Sequence, residues 1–244
     1  MTTAGRLHAH WRALPVGSLD DVAGAGTCPI LAPHPDDESL GCGGLIAACC
    51  AAGRPPVVVI LTDGSGSHPN SRLHPRPRLV ALREAEATEA VGILGLPRER
   101  LIFLGEPDSK APHKGPRFAA VTRRLIDCIG SFGCTTILAP WRHDPHCDHS
   151  AAACLASEAA CIAGIRHVAY PVWGWTLAAD TPIPERASQG WRLHVAPHLA
   201  AKQRAIAAHA SQHGRLVVDD PTGFDLPATL LRMVDGPWET FLLP

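Results

Sequence analysis

Short unbroken apolar runs alternate along the chain with longer stretches in which apolar residues recur every three or four positions. The short runs are Pro29–Pro33, Pro56–Thr62, Leu101–Gly105, Thr135–Pro140 and His167–Trp173. Within the second, Val57-Val58-Val59-Ile60-Leu61 has no polar face, which fits a strand covered on both sides in a parallel sheet. The longer stretches are Gly43–Ala52, Arg78–Leu94, Phe118–Ile129 and Ser150–Ala163. In Arg78–Leu94 the residues Leu79, Leu82, Ala85, Ala90, Ile93 and Leu94 share a helical face, Glu84, Glu86 and Glu89 intervene, and Gly95 and Pro97 end the helix. Strands alternating with helices through right-handed crossovers predict an α/β fold, a Rossmann-like doubly wound, mostly parallel sheet with helices on both faces. Leu7, Trp11 and Leu14 are spaced for a short docked helix. Trp191–Val195 reads as a further strand and Leu199–Ala210 as a last helix. The tail from Leu216, rich in Pro and Gly yet apolar, is expected to wrap the body.

Composition narrows the picture. The 244 residues show no internal repeat and no low-complexity linker, so a single domain is expected, and 46% hydrophobic residues supply its core. A net charge of −1, from 22 basic and 23 acidic residues, argues against a nucleic-acid or anionic-membrane partner. There is no signal-peptide apolar region and no apolar run of membrane-spanning length, so a cytoplasmic protein without membrane insertion is expected. The nine cysteines contain no C-x-x-C pair and read as small buried hydrophobes in a reducing compartment. A homo-oligomer is left open.

The candidate chemistry sits in two loops. His34-Pro35-Asp36-Asp37-Glu38 follows the first strand, and Arg142-His143-Asp144-Pro145-His146-Cys147-Asp148-His149 follows the fourth. In an open parallel sheet ligands bind beyond the carboxyl ends of the strands, so the topology can unite the two loops. His34 and Asp37 stand three apart, and His149 would complete a set of two nitrogens and one carboxylate oxygen. Three protein ligands leave a position for water, the layout of a catalytic zinc site, although the same set also holds ferrous iron or another divalent metal. Asp36 would then be free to act as the base, and His146 to stabilise an oxyanion or protonate a leaving amine. Asp148 or Asp144 would hold the His146 imidazole, and Glu38 fits a helix-capping place. Gly41, Gly43 and Gly44 do not satisfy the G-x-G-x-x-G pattern and point to close helix packing.

His34-Pro35-Asp36-Asp37-Glu38 together with Asp144-Pro145-His146-Cys147-Asp148-His149 resembles the PIG-L (LmbE-like) family of zinc-dependent N-deacetylases acting on N-acetylglucosaminyl groups. The family's A-H-P-D-D-E appears with Pro33 inserted after the alanine, and its D-x-H-P-D-H with Cys147 in place of proline. The resemblance covers about residues 28–213, leaving 1–27 and 216–244 as extensions packed on the domain. It implies one Zn2+ per chain on His34, Asp37 and His149, Asp36 as general base, and His146 as oxyanion stabiliser or acid oriented by Asp148. Arg83 looks like the family's sugar-contacting arginine, and Asp108 and Asp144 are further candidates for substrate contacts. Lys202–Gln212, with His209, Ser211 and Gln212, is similar to another family stretch. The expected partner is a small-molecule N-acylated amino sugar, hydrolysed by metal-activated water. The alternatives are a conjugate amidase on a related amide, a non-heme iron oxygenase with the same ligands, or a non-catalytic metal-binding protein.

Overall fold

A computed structural model describes residues 2–185, 188–214 and 216–244. In chain order its elements are β1 (Thr2–Thr3), α1 (Ala4–Ala13), β2 (Val16–Gly17), α2 (Leu19–Ala23), β3 (Pro29–Ala32), α3 (Asp37–Ala51), β4 (Val57–Thr62) and α4 (Arg76–Ile93). They continue with β5 (Leu101–Glu106), α5 (Gly115–Phe132), β6 (Thr136–Pro140), α6 (Cys147–Ala163), β7 (Arg166–Tyr170) and β8 (Pro182–Ile183). Last come β9 (Gly190–His194), α7 (Leu199–Ala208), α8 (Ala228–Val234) and β10 (Trp238–Leu242). Among the described residues no helix is long and apolar enough to cross a membrane.

The main sheet has the order β2-β9-β10-β7-β6-β3-β4-β5. Its core, β5-β4-β3-β6-β7, is parallel throughout, in the doubly wound arrangement that the alternating pattern predicts. Strict side-chain alternation then builds two cores from the same strands. Ile30, Ala32, Val58, Ile60 and Leu138 face one side, under α3 and α7. Leu31, Val57, Val59, Leu61, Ile137 and Ala139 face the other, under α5 and α6. The helically spaced Leu7 and Trp11 of α1 are buried with Trp141, Ala169 and Leu242 in a third cluster.

Two departures from the sequence-based expectation bear on how the core closes. Helix α3 begins at Asp37 rather than Gly43, so the three glycines lie inside it. They are there for contact: a Cβ on Gly41 would lie 2.4 Å from the Tyr170 ring, and one on Gly44 2.5 Å from Cβ of Val195. The tail does more than wrap the body, because β10 enters the sheet between β7 and β9, antiparallel to both. Its Glu239 is buried and accepts hydrogen bonds from the backbone N–H groups of Gly44 and Leu45 at 2.7 and 2.8 Å. The ammonium of Lys202, equally buried on α7, lies 2.8 Å from the same carboxylate. A buried charge pair of this kind costs desolvation and holds only because every partner is present. The cysteines also depart from expectation: Cys147, Cys154 and Cys161 are exposed, all three on one helix, α6.

Glu239→Ala should therefore destabilise the fold by about 3–5 kcal/mol, since Lys202 would be left buried and uncompensated. Replacing both partners (Lys202→Met with Glu239→Leu) should recover a large part of that loss, as read by urea denaturation. Gly44→Ala should cost about 1–3 kcal/mol through the clash with Val195, against its gain in helix propensity.

Candidate active site

The strand order reverses direction between β3 and β6, and both polar loops leave the sheet there. Beyond β3, the carbonyl of Pro33 accepts from both the N–H and the hydroxyl of Thr62, which pins the loop to β4. Asp36 then adopts φ 150°, a conformation that a side chain makes costly and that surrounding contacts must enforce. Its N–H donates to Glu38 Oε2 at 2.9 Å, and its Oδ2 receives the guanidinium of Arg83 at 3.1 Å. Arg83 also donates to the carbonyls of Pro35 and Gly64. The glutamate is held in turn by the Ser39 hydroxyl and by Nε2 of His209 at 3.0 Å.

Two imidazoles converge on one oxygen. Oδ2 of Asp37 lies 3.1 Å from Nδ1 of His34 and 3.2 Å from Nε2 of His149. Each ring is backed by another carboxylate on its far nitrogen. Nε2 of His34 faces Asp148 at 3.1 Å and Asp108 at 3.5 Å, and Nδ1 of His149 faces Asp144 at 3.0 Å. Nε2 of His149 is buried, and among the described residues it has no hydrogen bond of acceptable geometry. The ring of His146 stands edge-on to His34 with centroids 4.6 Å apart, and nitrogens of His34, His146 and His149 lie within 4.8 Å of one another.

Burial opposes charge on Asp37, yet His149 and His34 outweigh it and hold its carboxyl well below the usual range. Burial also pulls on His149, but Asp37 and Asp144 carry it up to about 9. For Asp36 burial wins over Arg83, and the carboxyl is pushed up to about 6. Burial and the neighbouring His34 and His149 lower His146.

The site residues named from the sequence separate by position. His34, Asp36, Asp37, Arg83, Asp108 and His146 line a cleft of about 150 Å³. Asp144 does not reach it: its carboxylate is consumed by His149 and by the N–H groups of Val172, Trp173 and Gly174, so it carries no substrate contact. The Asp148 carboxylate does not hold His146 either. It accepts from the N–H groups of Ser109 and Ala111 at 2.7 and 3.0 Å and faces His34. His146 is the N-cap of α6, with Nδ1 accepting from the N–H of Asp148 at 3.2 Å. With Nδ1 an acceptor, a neutral His146 carries its proton on Nε2. Arg83 is 2% exposed, which removes it from the class of surface ion pairs. Sequence reasoning missed Ser109 and Phe224 as cleft-lining residues. Neither lies in a periodic element, and only proximity in space reveals them.

A family model described as GlcNAc-PI de-N-acetylase, PIG-L, matches residues 30–160, more than half of the chain. The chain is 28% identical over 194 residues to a probable N-acetyl-alpha-D-glucosaminyl L-malate deacetylase 2 of Bacillus anthracis, covering 78% of this chain and 83% of that protein. Its fold is similar to that of N,N'-diacetylchitobiose deacetylase from Pyrococcus horikoshii, with a TM-score of 0.63, 18% identity and 88% and 82% of the two chains covered. It is likewise similar to the zinc-inhibited form of teicoplanin deacetylase Orf2, with a TM-score of 0.65, 17% identity and 88% and 97% covered. With the matched segment spanning both polar loops, the chain belongs to the PIG-L family of de-N-acetylases.

Proposed function

We propose that the chain hydrolyses an N-acyl group, acetyl first among them, from an amino-sugar-type amide, using a divalent metal held by His34, Asp37 and His149. The observation that carries this reading is the shared Asp37 oxygen between two histidines, each with a carboxylate on its far nitrogen. That is how proteins orient metal-bound imidazoles, and the buried Nε2 of His149, which lacks a hydrogen bond of acceptable geometry, would donate a lone pair once the metal displaces its proton. The set of two nitrogens and one carboxylate oxygen fits zinc or ferrous iron, and zinc is the metal proposed. When bound, zinc would supply Lewis acidity and lower the pKa of a coordinated water.

The remaining chemistry falls to side chains of the cleft. Arg83 occupies Oδ2 of Asp36, leaving Oδ1 to take a proton from the attacking water. A carboxyl pushed up to about 6 by burial is a stronger base than a surface aspartate. The Nε2–H of His146 would donate to the carbonyl oxygen as negative charge builds on it. Asp36, having gained a proton, would return it to the departing amine, so that acid and free amine leave with no net proton exchanged. The family match and the Bacillus anthracis relative support the amide and the N-acetylglucosaminyl substrate class.

His149→Ala should lose both bound metal, by elemental analysis, and release of free amine from N-acetylglucosamine derivatives; a variant that kept both would sink the assignment. Asp144→Asn should weaken metal binding about 10–100-fold while leaving the cleft residues in place. Asp36→Asn should keep the metal and lower kcat by about 10²–10⁴-fold. The base works deprotonated, so kcat/KM should fall as the pH drops through about 6 or, with a dication bound beside it, below that.

A further inference from the structure

Beyond the reacting groups, the cleft has a wall made by a segment that the family match does not reach. Residues 217–227 follow α7 and lie against the loop after β4. Asp219 accepts from the Ser71 hydroxyl at 2.7 Å and from the N–H groups of Arg72 and Leu73 at 2.7 and 2.9 Å. Asp220 accepts from the N–H of Asn70 at 2.8 Å. Closer to the site, the N–H of Phe224 donates to the carbonyl of Ser67 at 2.7 Å, and that of Leu226 to the carbonyl of Gln212 at 2.8 Å. Gly223 has no room for a side chain, since a Cβ there would lie 2.1 Å from the His68 ring. The segment is thus clamped at both ends and tight in the middle, and Phe224 is the residue it delivers to the cleft.

Across from Phe224 stands Trp173, with ring centroids 5.8 Å apart at 70°. The backbone of Trp173 is fixed by Asp144, the same carboxylate that backs His149. Trp173 is therefore held in register with His149, and Phe224 packs on it. The other large indoles of this region, Trp141 and Trp175, pack on Trp11 and take no part in the cleft. The rest of the lining is largely polar and includes Asp108, Ser67 and Gln212, the last two bonded through their carbonyls to the segment that carries Phe224. Two aromatic rings beside polar groups suit a pyranose ring, whose C–H face packs on aromatic surface while its hydroxyl edge seeks hydrogen bonds.

We propose that Phe224 and Trp173 are specificity-determining residues that grip the sugar ring of the amine portion by its C–H face, with the 217–227 segment setting the position of Phe224. The inference rests on the amide-hydrolase reading of the same site, but it fails separately. The test compares N-acetylglucosamine with N-acetylethanolamine, an amide lacking the ring, as substrates of the full chain. Phe224→Ala should raise KM for the sugar about ten-fold, with kcat changed far less, and should leave kcat/KM for the acyclic amide near wild type. Phe224→Trp should retain sugar affinity. Asp219→Ala, which frees the segment at its anchor and touches nothing in the cleft, should reproduce the selective rise in KM. Thermal melting and metal content are measured alongside, and Phe224→Trp and Asp219→Ala keep the question decidable should Phe224→Ala fold poorly. Equal losses on both amides, or no loss on the sugar, overturn the proposal while leaving the hydrolase reading intact. A wild-type chain inert toward both amides would defeat both.

Discussion

Oδ2 of Asp37 is the point on which the two halves of the sheet's upper edge close. One imidazole reaches it from the loop after β3 and the other from the first turn of α6 after β6, the strand beside β3. Left without a cation, such a convergence would stack buried imidazole nitrogens against an oxygen that already accepts the backbone N–H of His34. The surrounding charge makes sense around that centre. Asp144, Asp148 and Asp108 all face the outer nitrogens of the same two rings, so negative charge encloses the imidazoles from behind. Each of these carboxylates is in turn tied to backbone N–H groups, which fixes the rings through the fold rather than through one another.

The proposed base, Asp36, is placed by a different device. The unusual backbone of Asp36 is maintained by Arg83 on one side and Glu38 on the other. Glu38 depends on His209, the C-cap of helix α7 and 171 residues downstream, so that helix reaches the Asp36 carboxylate through two contacts. Ser211, just after it, donates to Glu86 on α4, the helix that carries Arg83. The stretch from Lys202 to Gln212 is therefore a brace behind the site: none of Lys202, His209 and Ser211 lines the cleft, and only Gln212 does.

How much of this was legible in the sequence depended on the range of the interaction. The strands β3, β4 and β6 declared themselves because both faces are buried and no polar residue interrupts them. The metal-binding candidates stood out because His and Asp are expensive to crowd between an apolar strand and a helix. The start of α3 was misplaced because Gly41, Gly43 and Gly44 lower helix propensity there, and the close packing they point to, against Tyr170 and Val195, is realised only in space. Strand β10 was not legible: Trp238-Glu239-Thr240-Phe241-Leu242 carries a glutamate that only the distant Lys202 makes tolerable inside a core. The true partner of Asp148 was hidden for the same reason, since the loop at Ser109 that engages it lies 39 residues away.

The placement of β10 has a consequence for how the molecule comes together. Strands β2 and β9 join the parallel half of the sheet through β10 alone, although β10 follows both in the chain. Until its five residues are in place, β7 and β9 each present an open row of backbone N–H and C=O groups, and Lys202 sits without its counter-charge. Assembly of this half must therefore wait on a contact between distant parts of the chain, which slows folding and prolongs the time that sticky strand edges are exposed. A chaperone or a low growth temperature during expression would act on that interval, before any chemistry of the cleft is in play.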